Sequence, residues 1–197
     1  SISVCMRYSS NSRPNMIGQI TAAISAEGVN IENMIDRSRG ETVALGRFLR
    51  ERYRLPAFVD NDVRSAAKAE LRFGEGRQSR DFIYINVGTG IAAGFVSDGK
   101  LISGGHFNAG EVGHTSSGLP LHIPCDCGRT DCVEAVASGS GIDRCARQLY
   151  GSFPDTTLAI PEDGRVSAAE VFRLSQTDVL CHVLTENAAE AIANLIM

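Results

Sequence analysis

Apolar positions change their period repeatedly along this chain. "ISVCMRY" alternates, "MIGQITAAISAEG" carries apolar residues at helical spacing and stops on Gly28, and "VNIENMIDRS" is extended again, which predicts strand, helix and strand. "TVALGRFLRERYRL" then predicts an amphipathic helix, "PAFVDND" a short apolar strand ending on acids, and "VRSAAKAELRFGEG" another helix. "DFIYINVGTGIAAGFVSDGKLI" predicts two strands around a glycine turn and, across Asp98-Gly99, a short third strand. After a loop, "ASGSGIDRCARQLYG" predicts a helix stopped at Gly151. "SAAEVFRLSQ" opens with a Ser167-to-Glu170 capping-box pattern, and Val179 to Met197 predicts a last amphipathic helix. The mixture reads as α/β, with no internal repeat and no low-complexity tract.

Composition narrows this only a little. With 197 residues, 43% of them hydrophobic, the chain can bury one ordinary core or two small ones. A formal charge of −4 and the lack of a dense Lys/Arg run argue against nucleic acid as a partner. The start "SISVCMRYSSNS" does not read as a secretory signal and no apolar run approaches a membrane span, so a soluble, cytoplasmic protein is expected. Of six cysteines, Cys125, Cys127 and Cys132 crowd into eight residues, which in a reducing compartment favours a metal over disulfides.

Three stretches could carry chemistry. His114 with "CDCGRTDC" offers one imidazole and three thiolates, a closed tetrahedral set for a structural Zn²⁺; the alternative is a loop without metal. His106, His122 and His182 lack such neighbours and read as surface or packing residues. In "NVGTGIAAG", Gly88, Gly90 and Gly94 would let backbone N–H groups approach an anion, although most glycine turns are only turns. It matches neither the P-loop nor the dinucleotide fingerprint. In "FVDNDVRSAA", Asp60, Asn61 and Asp62 end a strand where a helix starts, which suits an N-cap or a catalytic carboxylate.

Together "VDNDVRSAAKAE", "NVGTGIAAGFVSDGKLISGG", "NAGEVGH" and "CDCGRTDCVEAVASGSGI" resemble, in order and spacing, the ROK family of sugar kinases, repressors and related open reading frames. The resemblance runs from about residue 42 to the end. It implies the ribonuclease-H-like fold of the actin and hexokinase ATPases, with Asp62 as general base and Asn61, Glu111, His114 and Glu134 on the sugar. Gly88, Thr89 and Gly90 would lie at the phosphates of Mg-ATP, and His114, Cys125, Cys127 and Cys132 would hold zinc, His114 serving both metal and sugar. Phe107 and Asn108 stand where relatives have smaller residues, and Asp131 where they have glycine. The family's "DxGGTxxR" phosphate motif and its glycine-rich adenosine segment do not occur, so an incomplete kinase core is expected.

Residues 1–41 resemble a different module. "NSRPNMIGQITAAISAEGVNIENMIDRSRGE" is similar to the first half of an ACT domain, the amino-acid-binding module of phosphoglycerate dehydrogenases, placing a boundary near residues 40–43. The resemblances imply an ATP-dependent kinase for a hexose or N-acetylhexosamine, and a homo-oligomer. The alternatives are a sugar-sensing module of ROK repressor type, an inactive fused fragment, and amino-acid regulation through residues 1–41.

Overall fold

The computed structural model describes residues 50–52, 54, 60–106 and 108–197, and these divide into two compact units. The βαβ reading of residues 1–41, the strand expected in "PAFV" and the departure at Phe107 lie outside the described residues.

The first unit holds residues up to Tyr84 and from Gly94 to Ala109. Its helix α1 runs from Asp62 to Phe73 and buries Val63, Arg64 and Ala67 along one face. It starts where expected because the Asn61 carboxamide oxygen accepts the Val63 and Arg64 N–H groups at 3.0 and 3.1 Å. A 3₁₀ turn over Glu75–Gln78 follows. Strands β1 (Phe82–Val87), β2 (Ile91–Ser97) and β3 (Lys100–Ile102) form one sheet in that order. The β1–β2 connection is too short for a crossover, so that pair is antiparallel, and β2 pairs β3 antiparallel with Ser97 opposite Lys100. The Asp98-Gly99 hairpin is as predicted, both central residues having positive φ (51° and 69°) as a type I′ turn requires.

The second unit comprises Ile85–Ala93 and Gly110–Met197, so β1 and β2 each contribute to both units. Its core gathers Ile91, Ile123, Val133, Val136, Ile142, Leu158, Val171, Leu180 and Leu184. The last helix, α5 (Val179–Ile196), buries Leu180, Leu184, Ala188 and Ala191, a spacing that keeps one side toward this core. Its N-cap Asp178 is buried and accepts the N–H groups of Cys181 and Thr157 and the hydroxyls of Thr156 and Thr157.

Two local expectations change. The helix expected from Ala137 to Gly151 is α3 (Gly139–Leu149), and a short helix where a loop is expected, α2 (Val133–Ala137), precedes it across an extended Ser138. The buried Ser138 hydroxyl donates to the Glu134 carbonyl at 2.6 Å and accepts the Gly141 N–H at 2.9 Å, ending one helix and capping the next. A 3₁₀ turn over Tyr150–Ser152 then carries the chain past Gly151. At α4 (Ala168–Leu174), Ser167 caps the Glu170 N–H at 3.4 Å, but the Glu170 carboxylate turns to Arg173, so only half of the capping box forms.

Candidate functional site

His114 ends a short 3₁₀ turn, Val112–His114, and Gly113 within it is packed so closely that an added Cβ would stand 2.3 Å from the Ile91 carbonyl oxygen and 3.1 Å from Glu134 Cβ. Glycine at this position therefore lets the Glu111–His114 segment settle against Ile91 and Glu134. The chain then runs out to Ile123, turns over Cys125–Arg129 and returns, with bridges between Ser116 and Cys132 and between Pro124 and Thr130. The Cys125 N–H donates to the Arg129 carbonyl at 2.8 Å and the Gly128 N–H to the Cys125 carbonyl at 2.9 Å.

This path brings the four predicted metal ligands together, their donor atoms all within 4.8 Å of one another. His114 Nδ1 lies 3.6 Å from Cys125 Sγ, and Cys127 Sγ lies 3.5 Å from Cys132 Sγ. Ligand atoms around a tetrahedral zinc stand about 3.5–3.8 Å apart, far beyond a sulfur–sulfur bond, so the donors fit a zinc ion in both type and spacing. Because Nδ1 is the nitrogen turned toward the thiols, Nε2 is left for another partner. The Arg129 side chain and N–H beside the exposed Cys127 lower its thiol to about 6. Burial pushes Cys132 up to about 12. Metal binding to this set requires its cysteines as thiolates, so it would release protons.

Asp131 adopts a left-handed backbone with φ 56°. Aspartate tolerates that region, and here its carboxylate accepts the His122 and Ile123 N–H groups at 3.0 and 2.7 Å, tying the two arms of the loop. From α3, the Arg144 guanidinium donates to the Pro124 carbonyl and to Asp126, bracing the same loop. Neither brace has a local sequence signature beyond the departure at Asp131.

The glycine turn Gly88–Gly90 is held by distant residues. Glu134 Oε2 accepts the Ile91 N–H at 2.8 Å across 43 positions, so this predicted sugar ligand already has one oxygen occupied. On the other side, the Gly139 N–H donates to the Gly88 carbonyl at 2.8 Å and the Ser140 hydroxyl to the Thr89 carbonyl at 2.5 Å. Sequence reasoning missed Ser138 and Ser140; the only hint was the small-residue run "SGSG" where a helix was expected. Within the second unit, the fold thus joins Glu111, His114, the cysteines, Glu134 and the turn through one set of contacts.

Asn61 and Asp62 belong to the first unit. Asn61 is the N-cap of α1, one of the two roles its sequence position allowed, and Asp62 is exposed on the first helical turn. Asp60 is tied to Lys68 at 2.6 Å and Arg64 at 2.7 Å. Partial burial works against its ionisation, but these cations outweigh it and hold Asp60 below the usual carboxylate range. Asp62 makes no ion pair among the described residues, its Oδ1 accepting only the Val63 N–H at 2.9 Å. Of the two carboxylates, it is the one without a cation partner among the described residues. No helix of the described residues is long and apolar enough to cross a membrane.

Comparison with known proteins adds a likeness over most of this chain to these local features. The chain is 34% identical over 158 residues to a glucokinase of Halalkalibacterium halodurans, covering 75% of this chain and 47% of that protein. It is 41% identical over 122 residues to an N-acetylmannosamine kinase of Escherichia coli, covering 61% and 41%. It is 32% identical over 196 residues to a xylose repressor of Caldicellulosiruptor bescii, covering 90% and 48%. Among solved structures, a ROK hexokinase from Thermus thermophilus matches with TM-score 0.64 and 31% identity over 77% of this chain and 47% of that one. A ROK family glucokinase from Streptomyces griseus in complex with glucose and AMPPNP matches with TM-score 0.61 and 28% identity over 77% and 50%. The chain spans about half the length of the curated relatives it matches. The model of the ROK family matches residues 15–197, nearly the whole chain, and on that extent the chain belongs to the ROK family.

Proposed function

We propose that this chain carries the sugar-binding and phosphate-binding core of a ROK-type sugar kinase with a ribonuclease-H-like fold, acting on a hexose or N-acetylhexosamine. Asp62 accepts the proton of the sugar hydroxyl as its oxygen attacks the γ-phosphorus of Mg-ATP, ADP leaving on the opposite side. Asn61, Glu111, His114 and Glu134 hold neighbouring hydroxyls, and Gly88, Thr89 and Gly90 face the phosphates. His114, Cys125, Cys127 and Cys132 would hold a structural zinc, which fixes the loop and the orientation of the His114 ring without an open position for water. The observation that carries this reading is the convergence of those four donors on a segment that also packs against Glu134.

The test is ATP-dependent phosphorylation of glucose, mannose, fructose, N-acetylglucosamine and N-acetylmannosamine. Turnover of one of them, lowered by about 10²–10⁴ in Asp62→Asn with sugar affinity retained, is the expected result. Turnover equal in wild type and variant removes Asp62 from the chemistry.

A second reading, a sugar-sensing module without turnover, is favoured by the xylose repressor, whose likeness extends over 90% of this chain. Saturable sugar binding with no phosphorylation in the presence of Mg-ATP selects it. Both readings take the protein as cytoplasmic and homo-oligomeric; the kinase reading needs no nucleic acid. Residues 1–41 stand in the proposal as an ACT-like fragment joined near residues 40–43, although the family match starts at residue 15. Sequencing the source DNA across that join tests it.

A further inference from the structure

We infer that Ser140, at the start of α3, is a positioning residue for phosphate binding, acting through the backbone of the Gly88–Gly90 turn. This deepens the kinase reading and rests on its assignment of that turn to an anion. The Ser140 hydroxyl donates to the Thr89 carbonyl oxygen at 2.5 Å, the Ser140 N–H reaches the same oxygen at 3.4 Å, and the Gly139 N–H donates to the Gly88 carbonyl at 2.8 Å. The peptide bonds of the described residues are all trans, and in a planar trans peptide the carbonyl and the following N–H point to opposite sides. Drawing the Gly88 and Thr89 carbonyls toward α3 therefore turns the Thr89 and Gly90 N–H groups away from it, side by side.

Neither of those N–H groups is engaged by a hydrogen bond among the described residues, and Gly88 and Thr89 are exposed. Two adjacent, outward N–H groups are the elements of an anion-binding concavity. The turn cannot swing freely, since Gly88 N–H donates to the Gly90 carbonyl at 2.9 Å and Glu134 Oε2 holds the Ile91 N–H next to it. The Ser140 hydroxyl lies 3.1 Å from that of the buried Ser138, whose own proton goes to the Glu134 carbonyl. The chemistry recognised is that of a polyphosphate chain, and Ser140 makes no contact with it.

The experiment measures inorganic tripolyphosphate and Mg-ATP binding calorimetrically to wild type, Ser140→Ala and Ser140→Thr, with sugar affinity and thermal midpoint followed in parallel. The expected result is about a tenfold weaker affinity for both phosphate probes in Ser140→Ala, recovery in Ser140→Thr, and sugar affinity and midpoint unchanged. Wild-type affinity in Ser140→Ala overturns the inference, and so does a loss of phosphate and sugar binding together with the midpoint, which marks a structural role. Should Ser140→Ala fail to fold, amide NMR of the wild type decides: tripolyphosphate must shift the Thr89 and Gly90 amides, and unmoved amides overturn the inference. A phosphate response without phosphorylation of any sugar removes the kinase reading and leaves the role of Ser140 standing. Sugar phosphorylation unchanged in Ser140→Ala does the reverse.

Discussion

The cysteine loop and the glycine turn are neighbours in one unit but are built in opposite ways. From Ser116 to Cys132 the loop is closed first by its own residues, with Arg144 of α3 bracing it from outside: the Asp131 carboxylate spans 9 and 8 positions to His122 and Ile123, and the Cys125–Arg129 turn is closed by adjacent N–H groups. The turn Gly88–Gly90 makes one bond of its own, Gly88 to Gly90, and takes its remaining geometry from residues 43 to 51 positions away. A locally closed loop can gather ligands and wait for a metal. A turn held from outside is shaped only when the rest of the unit has folded, which ties its peptide orientation to α2 and α3.

The largest expected effect tests the loop. Cys127→Ser should reduce zinc from one per chain to none, measured by elemental analysis after dialysis, and lower stability by about 4 kcal/mol or more if the metal closes the loop. Sugar affinity should weaken with it; zinc lost with sugar affinity intact would separate the metal from the pocket. Asp131→Ala leaves two N–H groups without their acceptor and keeps a side chain at positive φ, and should cost about 2–3 kcal/mol in urea unfolding. Asp131→Gly should cost less, because glycine adopts that backbone freely. Equal losses in both variants would make the carboxylate bonds, rather than the backbone, the whole effect.

Glu134→Ala should release the Ile91 N–H and cost about 1–2 kcal/mol with zinc content unchanged, while Glu134→Gln, whose amide oxygen can still accept, should stay near wild type in stability. If the alanine variant also loses zinc, the loop and the turn are one structure and the contrast between them fails. Asp178→Asn is the control that should touch neither region. The N–H and hydroxyl donors around Asp178 overcome the opposing effect of burial and hold its carboxyl well below the usual range. A depressed carboxylate stabilises the fold above its unfolded pKa and loses that contribution as pH falls through its folded value. The variant should therefore be about 1 kcal/mol less stable at neutral pH, with the gap closing below about pH 4. A gap that persists in acid would show that packing, not charge, is what the substitution removes.

Much of this was legible beforehand for a simple reason. The β1–β2–β3 hairpins announce themselves through alternation and Asp98-Gly99, the α1 start through Asn61, and the metal set through His114 and three cysteines within nineteen positions. Each of these signals is local. The break between α2 and α3 was not legible, because Ser138 inside a small-residue stretch reads equally well as helix interior; it is the burial of its hydroxyl between the Glu134 carbonyl and the Gly141 N–H that decides.

The sequence by itself determined which residues can bind a metal, which carboxylate stands at a helix start, and where the turn would fall, because residue type and short-range spacing suffice for those. Only the tertiary structure decided that Asp60 is neutralised by Lys68 and Arg64 while Asp62 is left without a cation among the described residues. It also decided that Glu134 and Ser140 clamp the Gly88–Gly90 turn from both sides. A hydrogen bond across some fifty positions depends on the path of the whole intervening chain, and no local pattern of residues encodes it.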